Sequence, residues 1–167
     1  TGDVDRFIDH VCETVRDTLD ATCCKVLELD PEGERLDLRA GVGWDQGVVG
    51  SATVPANTNS QAGYTLQRRE PVRVEQLSTE TRFSGPDLLT DHGVESGVSV
   101  IIGSVDDPWG IIGVHDTAVR EFTEQDADFV RSVATLVASA VDRREREREL
   151  ERYETIFETL SDGVYAV

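Results

Sequence analysis

The 167-residue sequence contains no methionine, a single lysine and only three cysteines. Cys12, Cys23 and Cys24 are odd in number and two are adjacent, which is neither a disulfide framework nor a common zinc-ligand spacing. We interpret them as small buried apolar residues in a reducing compartment. The lack of methionine, even at position 1, indicates a piece of a longer protein. Because no apolar run reaches about 18 residues, no membrane-spanning segment is predicted.

Positive charge is also scarce. The 16 lysine and arginine residues are outnumbered by 33 aspartate and glutamate residues, which gives a net charge of −17. Such a chain has no net basic face to neutralise phosphates, so we expect no direct nucleic-acid binding. Dense carboxylates with few lysines are typical of proteins from salt-loving archaea, where salt screens the repulsion between them. We therefore expect a haloarchaeal-type, cytoplasmic protein; the alternative is an ordinary acidic cytosolic protein.

The clearest secondary-structure pattern lies in the C-terminal half. The sequence predicts a strand over 96–105, a turn at 106–108 and a second strand over 109–117. Period-2 alternation in the first strand places three apolar side chains on one face: Val98, Val100 and Ile102.

A long helix follows this hairpin. Thr123, with Asp126 three residues later, is typical of a capping box at a helix start. Apolar residues then recur at helical spacing and predict one broad buried stripe, made of Phe129, Val130, Val133, Leu136, Val137, Ala140 and Val141.

The N-terminal half predicts a helix, a hairpin and then shorter elements. Helical spacing favours a helix over 3–20, and a turn cluster at 30–33 separates strands over 22–29 and 36–40. The further predicted elements are an edge or bulged strand over 47–54, a helix over 61–69, a strand over 72–74, and a short helical turn at 88–89 within an irregular stretch from 76 to 93.

Three segments of the C-terminal half together resemble one known family. They are Gly93–Val100, Gly110–Val114 and the Phe122-Thr123-x-x-Asp126 motif, in this order and spacing. This arrangement is similar to the C-terminal half of a GAF domain, a small-molecule-sensing module of signalling proteins. The resemblance implies a GAF-like, PAS-related α+β fold, with a central antiparallel sheet, N- and C-terminal helices on one face, and a ligand cavity on the other. It also implies a long C-terminal signalling helix.

By this resemblance, a ligand pocket would lie between the sheet and residues 41–93. Six residues are candidates for ligand contact by their position: Trp44, Tyr64, Phe83, Asp87, His92 and Ser99. Ordinary core or loop packing is the alternative for each of them. The resemblance names no ligand, so the cofactor is unknown, and no metal ligands are predicted.

No catalytic group of residues is predicted. His10 is expected on the surface, and His115 is expected to be a sheet histidine with satisfied hydrogen bonds. His92 is the one histidine that we consider as a haem or metal ligand. The GAF domains that reduce methionine sulfoxide use cysteines in the pocket loops, and no cysteine lies beyond Cys24 here, so a redox enzyme has little support.

The C-terminal helix pattern continues past the end of the predicted domain. We predict a GAF-like sensor domain over 1–141, a helical coiled-coil linker over 142–160 and the start of a truncated PAS-like domain over 161–167. Steps of seven residues give a broken heptad seam of Phe129, Leu136, Arg143, Leu150 and Phe157, which favours a two-helix coiled coil. The alternative is a lone solvated helix held together by charge pairs.

These features predict a non-catalytic sensory or regulatory module of a cytoplasmic signal-transduction protein, either a histidine kinase or a transcription regulator. The expected partners are a second copy through the terminal helices, an unknown small molecule, and PAS and output domains in the same chain. The alternative functions are a ligand-free structural dimerisation module and, with less support, a redox enzyme.

Overall fold

The computed structural model describes the backbone of residues 2–165 and the side chains of residues 2–161. Its helices are α1 (Asp3–Thr18), α2 (Gln61–Arg68), α3 (Asp87–Thr90) and α4 (Glu124–Tyr165), with a 3-10 turn at Leu77–Thr79. Its strands are β1 (Cys23–Leu29), β2 (Arg35–Val42), β3 (Thr53–Pro55), β4 (Val72–Val74), β5 (Ser96–Gly103) and β6 (Pro108–Asp116). Apart from the stretch 47–54, the predicted elements are therefore present, with shifts of a few residues at most of their ends.

The six strands form one antiparallel sheet in the order β3-β2-β1-β6-β5-β4. The strands β1 and β6, from opposite halves of the chain, are paired at the centre of this sheet. Both of its faces are covered, so the central strands are buried on both sides and are apolar nearly throughout.

The helices α1 and α4 cover one face of the sheet, as predicted. The strand β5 presents Val98, Val100 and Ile102 to this side, which confirms the predicted alternation. From the two helices and the segment just before α4, the buried side chains that complete this core include Ile8, Val11, Cys12, Val15, Phe122, Val130, Ala134, Val137 and Val141.

The opposite face is covered by α2, α3 and the loops between β2 and β5. Two apolar clusters form there, one around Val72, Val74, Phe83 and Leu89, and one around Leu27, Leu36, Leu38, Leu88 and Ile111. This second layer contains most of the residues that were predicted to line a pocket.

Local capping explains where two of the helices begin. At the start of α4, the Thr123 hydroxyl accepts from the Asp126 amide at 3.1 Å, and the Asp126 carboxylate accepts from the Thr123 amide at 2.9 Å. This reciprocal pair confirms the predicted capping box. At the start of α2, the Ser60 hydroxyl accepts from the Gly63 amide at 2.9 Å.

The stretch 47–54 differs from the prediction, because only Thr53–Pro55 pairs as a strand. Gly47 and Gly50 have φ values of 86° and 91°, in the left-handed region that strand residues do not adopt. The preceding residues therefore form turns, and β3 is shorter than predicted.

The helix α4 continues well beyond the sheet. Val141 is the last buried residue among the side chains described, and five large apolar side chains beyond it are exposed: Leu150, Tyr153, Ile156, Phe157 and Leu160. In the described part of the chain, no helix is both long and apolar enough to cross a membrane. The predicted start of a PAS-like domain at 161–167 extends outside the described residues and stays a prediction.

Candidate functional site

Three polar side chains are buried together on the face of the sheet that α2 covers. They are Lys25, Ser99 and His115, each at most 1 % exposed, and we call them the Lys25 cluster. They come from β1, β5 and β6 respectively. Buried polar groups normally find partners, so this cluster is the most unusual feature of the interior.

The strand register explains why residues so far apart in the sequence meet. Lys25 pairs with Gly113, and Gly113 pairs with Ser99, so the three lie in one row across the sheet. His115 lies two residues from Gly113 and shares its face. A Cβ atom on Gly113 would lie 2.8 Å from His115 Nε2 and 3.0 Å from Lys25 Cε. Both side chains therefore use the space that the missing side chain of Gly113 leaves.

The side-chain hydrogen-bonding groups of two members of the cluster, Ser99 and His115, are unused. The hydroxyl of Ser99 and both ring nitrogens of His115 have no hydrogen-bond partner. An unpaired buried hydroxyl or imidazole costs about 1–3 kcal/mol. The expectation that His115 is a satisfied sheet histidine was therefore wrong: its ring lies over Gly97, its neighbour on β5, in a position where the sheet offers it no partner of good geometry.

Burial sets the protonation states in the cluster. Burial lowers the pKa of Lys25 to about 8, while the nearby Cys23 and Cys24 oppose this shift. For His115, burial is again the main cause of a pKa well below its usual range, and the charge of Lys25 adds to it. The backbone of Ser96 opposes this second shift without completing a hydrogen bond of normal geometry. At neutral pH the cluster thus holds one ammonium and a neutral imidazole.

Trp44, another of the six predicted residues, lies beside this charge. Its ring centroid is 5.9 Å from Lys25 Nζ and 6.2 Å from the His115 ring centroid. The indole nitrogen donates to the Cys24 carbonyl at 2.9 Å, which fixes the ring above β1. The face of the indole therefore stabilises the buried ammonium through a cation–π contact.

His92 joins two covering loops instead of presenting a free nitrogen. Its Nδ1 donates to the Leu88 carbonyl at 2.8 Å, and its Nε2 accepts from the Asp45 amide at 3.1 Å. Its ring meets that of Trp44 edge to face, with the centroids 5.0 Å apart. Since both ring nitrogens are occupied, binding a haem or metal through His92 would require breaking one of these bonds.

Tyr64 and Phe83 form part of the outer cover. Their ring centroids lie 5.4 Å apart, and the guanidinium of Arg82 lies over both rings. Arg82 in turn donates to the Glu80 carboxylate, and this hydrogen bond is the main cause that lowers the pKa of Glu80 to about 2. Asp87, by contrast, is exposed at the start of α3.

The structure thus brings three of the six predicted residues, Trp44, His92 and Ser99, to the Lys25 cluster or its immediate cover. Sequence reasoning missed Lys25 and His115 as members of this site. One signal was available for Lys25: it is the only lysine of the chain, within an otherwise apolar strand.

The cysteines are all free and buried. Burial raises the pKa of the Cys23 thiol to about 12, and the hydrogen bond with Cys12, together with burial, raises that of Cys24 well above its usual value. Because the thiolate is the nucleophilic form, neither residue is poised for thiol chemistry.

One groove lies on another part of the surface. An open groove of about 1170 Å³ runs between α4 and the turns after β1 and β5, and none of the six predicted residues lines it. Among the residues described, no three histidine, cysteine or carboxylate side chains are grouped so that they could hold a metal ion.

Comparison with known proteins identifies the fold that carries this site. The sequence model of the family described as "GAF domain" matches residues 3–141. The chain belongs to the GAF domain family. The match ends at Val141, which is also the last buried residue of α4 among the side chains that the structure describes. Among curated proteins, no sequence match was found.

Solved structures show how widely this GAF fold is shared. The GAF domain from an Acinetobacter phosphoenolpyruvate-protein phosphotransferase is 20% identical, with a TM-score of 0.75 over 87% of this chain and 86% of that one. Residues 122 to 287 of a methyl-accepting chemotaxis protein are 21% identical, with a TM-score of 0.72 over 84% of this chain and 90% of that one. Free methionine-R-sulfoxide reductase from Neisseria meningitidis, in complex with its substrate, is 13% identical, with a TM-score of 0.73 over 87% of this chain and 81% of that one.

At these identities the similarity shows the fold alone. GAF domains occur in sensor and signalling proteins such as histidine kinases and chemotaxis proteins, and they are usually regulatory modules. Some relatives of the same fold are enzymes, as the reductase illustrates.

Proposed function

We propose that this GAF domain is a non-catalytic sensory module of a cytoplasmic signal-transduction protein, either a histidine kinase or a transcription regulator. It binds a small molecule on the face that α2 covers and relays the bound state through a dimeric α4. PAS and output domains in the same chain receive the signal.

This proposal rests on the side chains that lie on the two faces of β5. Ser99 points toward α2 and belongs to the Lys25 cluster, while Val98 and Val100 on the same strand pack against the layer that contains α4. A ligand that pairs with Ser99 contacts the strand on which α4 rests. A ligand that prefers one position of this strand therefore shifts the population of α4 positions.

The free half of α4 carries a surface suited to a second copy of this chain. Leu150, Tyr153, Phe157 and Leu160 are spaced by three and four residues and are each more than 60 % exposed. This is the a/d spacing of a two-helix coiled coil. Four large apolar side chains on one stripe of a solvated helix are costly to leave exposed, which supports dimerisation over a lone helix.

The cysteine chemistry supports a non-catalytic role. The raised pKa values of Cys23 and Cys24 keep both as thiols, and no cysteine occurs in the loops that cover the α2 face. The unpaired polar atoms of Ser99 and His115 argue against the alternative of a ligand-free structural module, in which a collapsed pocket would turn no polar group inward.

The charge balance supports a proposal about the setting of the protein. With a net charge of −17 and one lysine, the chain fits the cytoplasm of a haloarchaeal cell, where molar salt screens repulsion between carboxylates.

Sedimentation velocity of the chain in molar KCl tests the relay. We expect a dimer, and we expect the variant Leu150→Glu/Phe157→Glu to be monomeric, because it places four carboxylates in the seam of the dimer. The control Thr155→Glu/Thr159→Glu adds the same charge to exposed positions of the same helix that lie off the seam, and it should remain dimeric. A monomeric wild-type chain would refute the relay through α4.

Native mass spectrometry of the gently purified protein tests the sensory half. A bound small molecule that is lost on denaturation is expected. If no metabolite binds by this method or in a thermal-shift screen, the dimerisation module without a ligand becomes the better description.

A further inference from the structure

We infer that the small molecule is a monocarboxylate, with its carboxylate held by Lys25, His115 and Ser99. This inference rests on the proposed function, since it names the chemical class of ligand for the same site.

The first argument is the charge of Lys25. This residue is fully buried, yet among the described residues no carboxylate forms an ion pair with it. A buried ammonium without a counter-ion is costly, and chains normally neutralise it with a partner. The chain has 33 acidic residues, and none of those described pairs with Lys25, its one lysine. We therefore infer that a bound ligand supplies the counter-ion.

The neighbouring thiols do not fill this place. Cys23 lies two residues from Lys25 on the same face of β1, so a thiolate there would be a natural counter-ion. Burial raises the pKa of Cys23 to about 12, so it remains an uncharged thiol. Its Sγ is already directed at the His115 carbonyl, 3.8 Å away.

The second argument is the unused hydrogen-bonding capacity around the same point. The hydroxyl of Ser99 and one nitrogen of the neutral His115 ring can each donate a hydrogen bond, and neither has an acceptor. The three groups surround Gly113, with Lys25 and Ser99 on the two neighbouring strands and His115 two residues along. An ammonium with two neutral donors matches two carboxylate oxygens, which carry about four acceptor positions.

Charge and size favour a carboxylate over a phosphate. The cluster offers one positive charge, because His115 remains neutral, so a monoanion neutralises it and a dianion leaves a buried excess charge. The side chains of Lys25 and His115 already occupy the space above Gly113, and the Trp44 ring closes one side. A planar two-oxygen group needs less room there than a tetrahedral phosphate.

The single lysine gives a direct test. In protein labelled with ¹³C-lysine, the Cε–Hε resonance of Lys25 is the only such signal of the chain. It is followed during titration with formate, acetate, propionate, pyruvate and lactate, and with acetamide as a neutral match to acetate. We expect a saturable shift with at least one carboxylate, with a Kd below about 10 mM, and none with acetamide.

Two serine variants on one strand provide matched controls for this titration. Ser99→Ala should weaken carboxylate binding about tenfold, the usual effect of losing a hydrogen bond to a charged group. Ser96→Ala should leave binding unchanged, because its hydroxyl is on the opposite face of β5 and donates to the Ala118 carbonyl at 2.8 Å. The two variants need no change at Lys25, so the reporter signal is retained.

Three outcomes would overturn the inference. These are the absence of a saturable shift with every carboxylate, equal shifts with acetamide, or binding that Ser96→Ala weakens as much as Ser99→Ala. A shift with inorganic phosphate alone would establish an anion site and still refute the carboxylate. A dimer that carries an uncharged molecule in native mass spectrometry would preserve the sensory relay and refute only the class of ligand.

Discussion

At the scale of single residues, the buried charge of Lys25 lowers the stability of the folded chain. Its pKa is about 8 in the folded chain and roughly 10.4 in an unfolded chain. The folded state therefore binds the proton of Lys25 less tightly than the unfolded state does, and this difference lowers the free energy of unfolding while the unfolded lysine is protonated. The penalty is complete below about pH 8 and is relieved as the pH rises toward about 10.4. The opposing residue is Cys23, whose raised pKa makes stability fall as the pH rises above about 9 toward 12.

Lys25→Met should therefore raise the free energy of unfolding at pH 7, by up to about 3 kcal/mol from the shift of its pKa. The gain should shrink between about pH 8 and 10.4. Urea unfolding across this pH range measures the difference. The exposed Arg131→Met carries the same change of net charge and should alter stability by less than about 0.5 kcal/mol. A destabilised Lys25→Met variant at pH 7 would contradict this account.

At the scale of elements, α4 combines a well-fixed start with a free end. The capping pair of Thr123 and Asp126 satisfies two backbone donors, and Arg73 reaches the carbonyl of Phe122 at 2.9 Å just before the helix. Among the side chains described beyond Val141, none is buried against the rest of the domain. The helix is therefore anchored by its first part, from its start to Val141.

Thr123→Ala should destabilise the domain by about 1 kcal/mol, because the Asp126 amide loses its acceptor. Thermal unfolding followed by circular dichroism measures this loss. The control Thr135→Ala changes a mid-helix threonine whose hydroxyl bonds only to the Arg131 carbonyl, and it should be neutral or slightly stabilising, because alanine is the better helix former. Equal losses in the two variants would show that the cap is not the cause.

The elements were predictable from the sequence where their signals are local. The capping box at Thr123, the alternation in β5 and the Val72–Val74 strand depend on residues within a few positions of one another, and the structure has all three. The Lys25 cluster was not predictable, since it depends on β1 pairing with β6 across most of the chain. A lysine inside a strand indicates an edge or a solvent-exposed face until the strand order is known. Only then does Lys25 lie at the centre of the sheet.

At the scale of the whole molecule, the excess of negative charge is the main electrostatic feature. Most ion pairs are between exposed groups, such as Arg146 with Asp142, and contribute little each. The 33 acidic residues therefore repel one another with few arginines to offset them. Self-repulsion of this kind destabilises the compact state until salt screens it.

The melting temperature should rise with KCl, most steeply below about 0.5 M, where the screening length falls from about 30 Å at 10 mM toward a few ångström. A titration of thermal stability from 10 mM to 3 M salt measures this, with sorbitol as an uncharged control of matched osmolality. A strictly linear rise through the whole range would indicate exclusion of salt from the surface instead of charge screening. An unchanged melting temperature would contradict the halophilic setting.

Because α4 is one uninterrupted helix, it works as a lever whose pivot is the last core contact. From Val141 to Leu160 the helix spans about 28 Å at 1.5 Å per residue. A tilt of about 5° at the pivot moves the far end by about 2.5 Å, which is larger than packed side chains absorb without exchanging neighbours. In the dimer that we propose, small, graded shifts at the sheet would therefore reach the far end as a change between discrete packings.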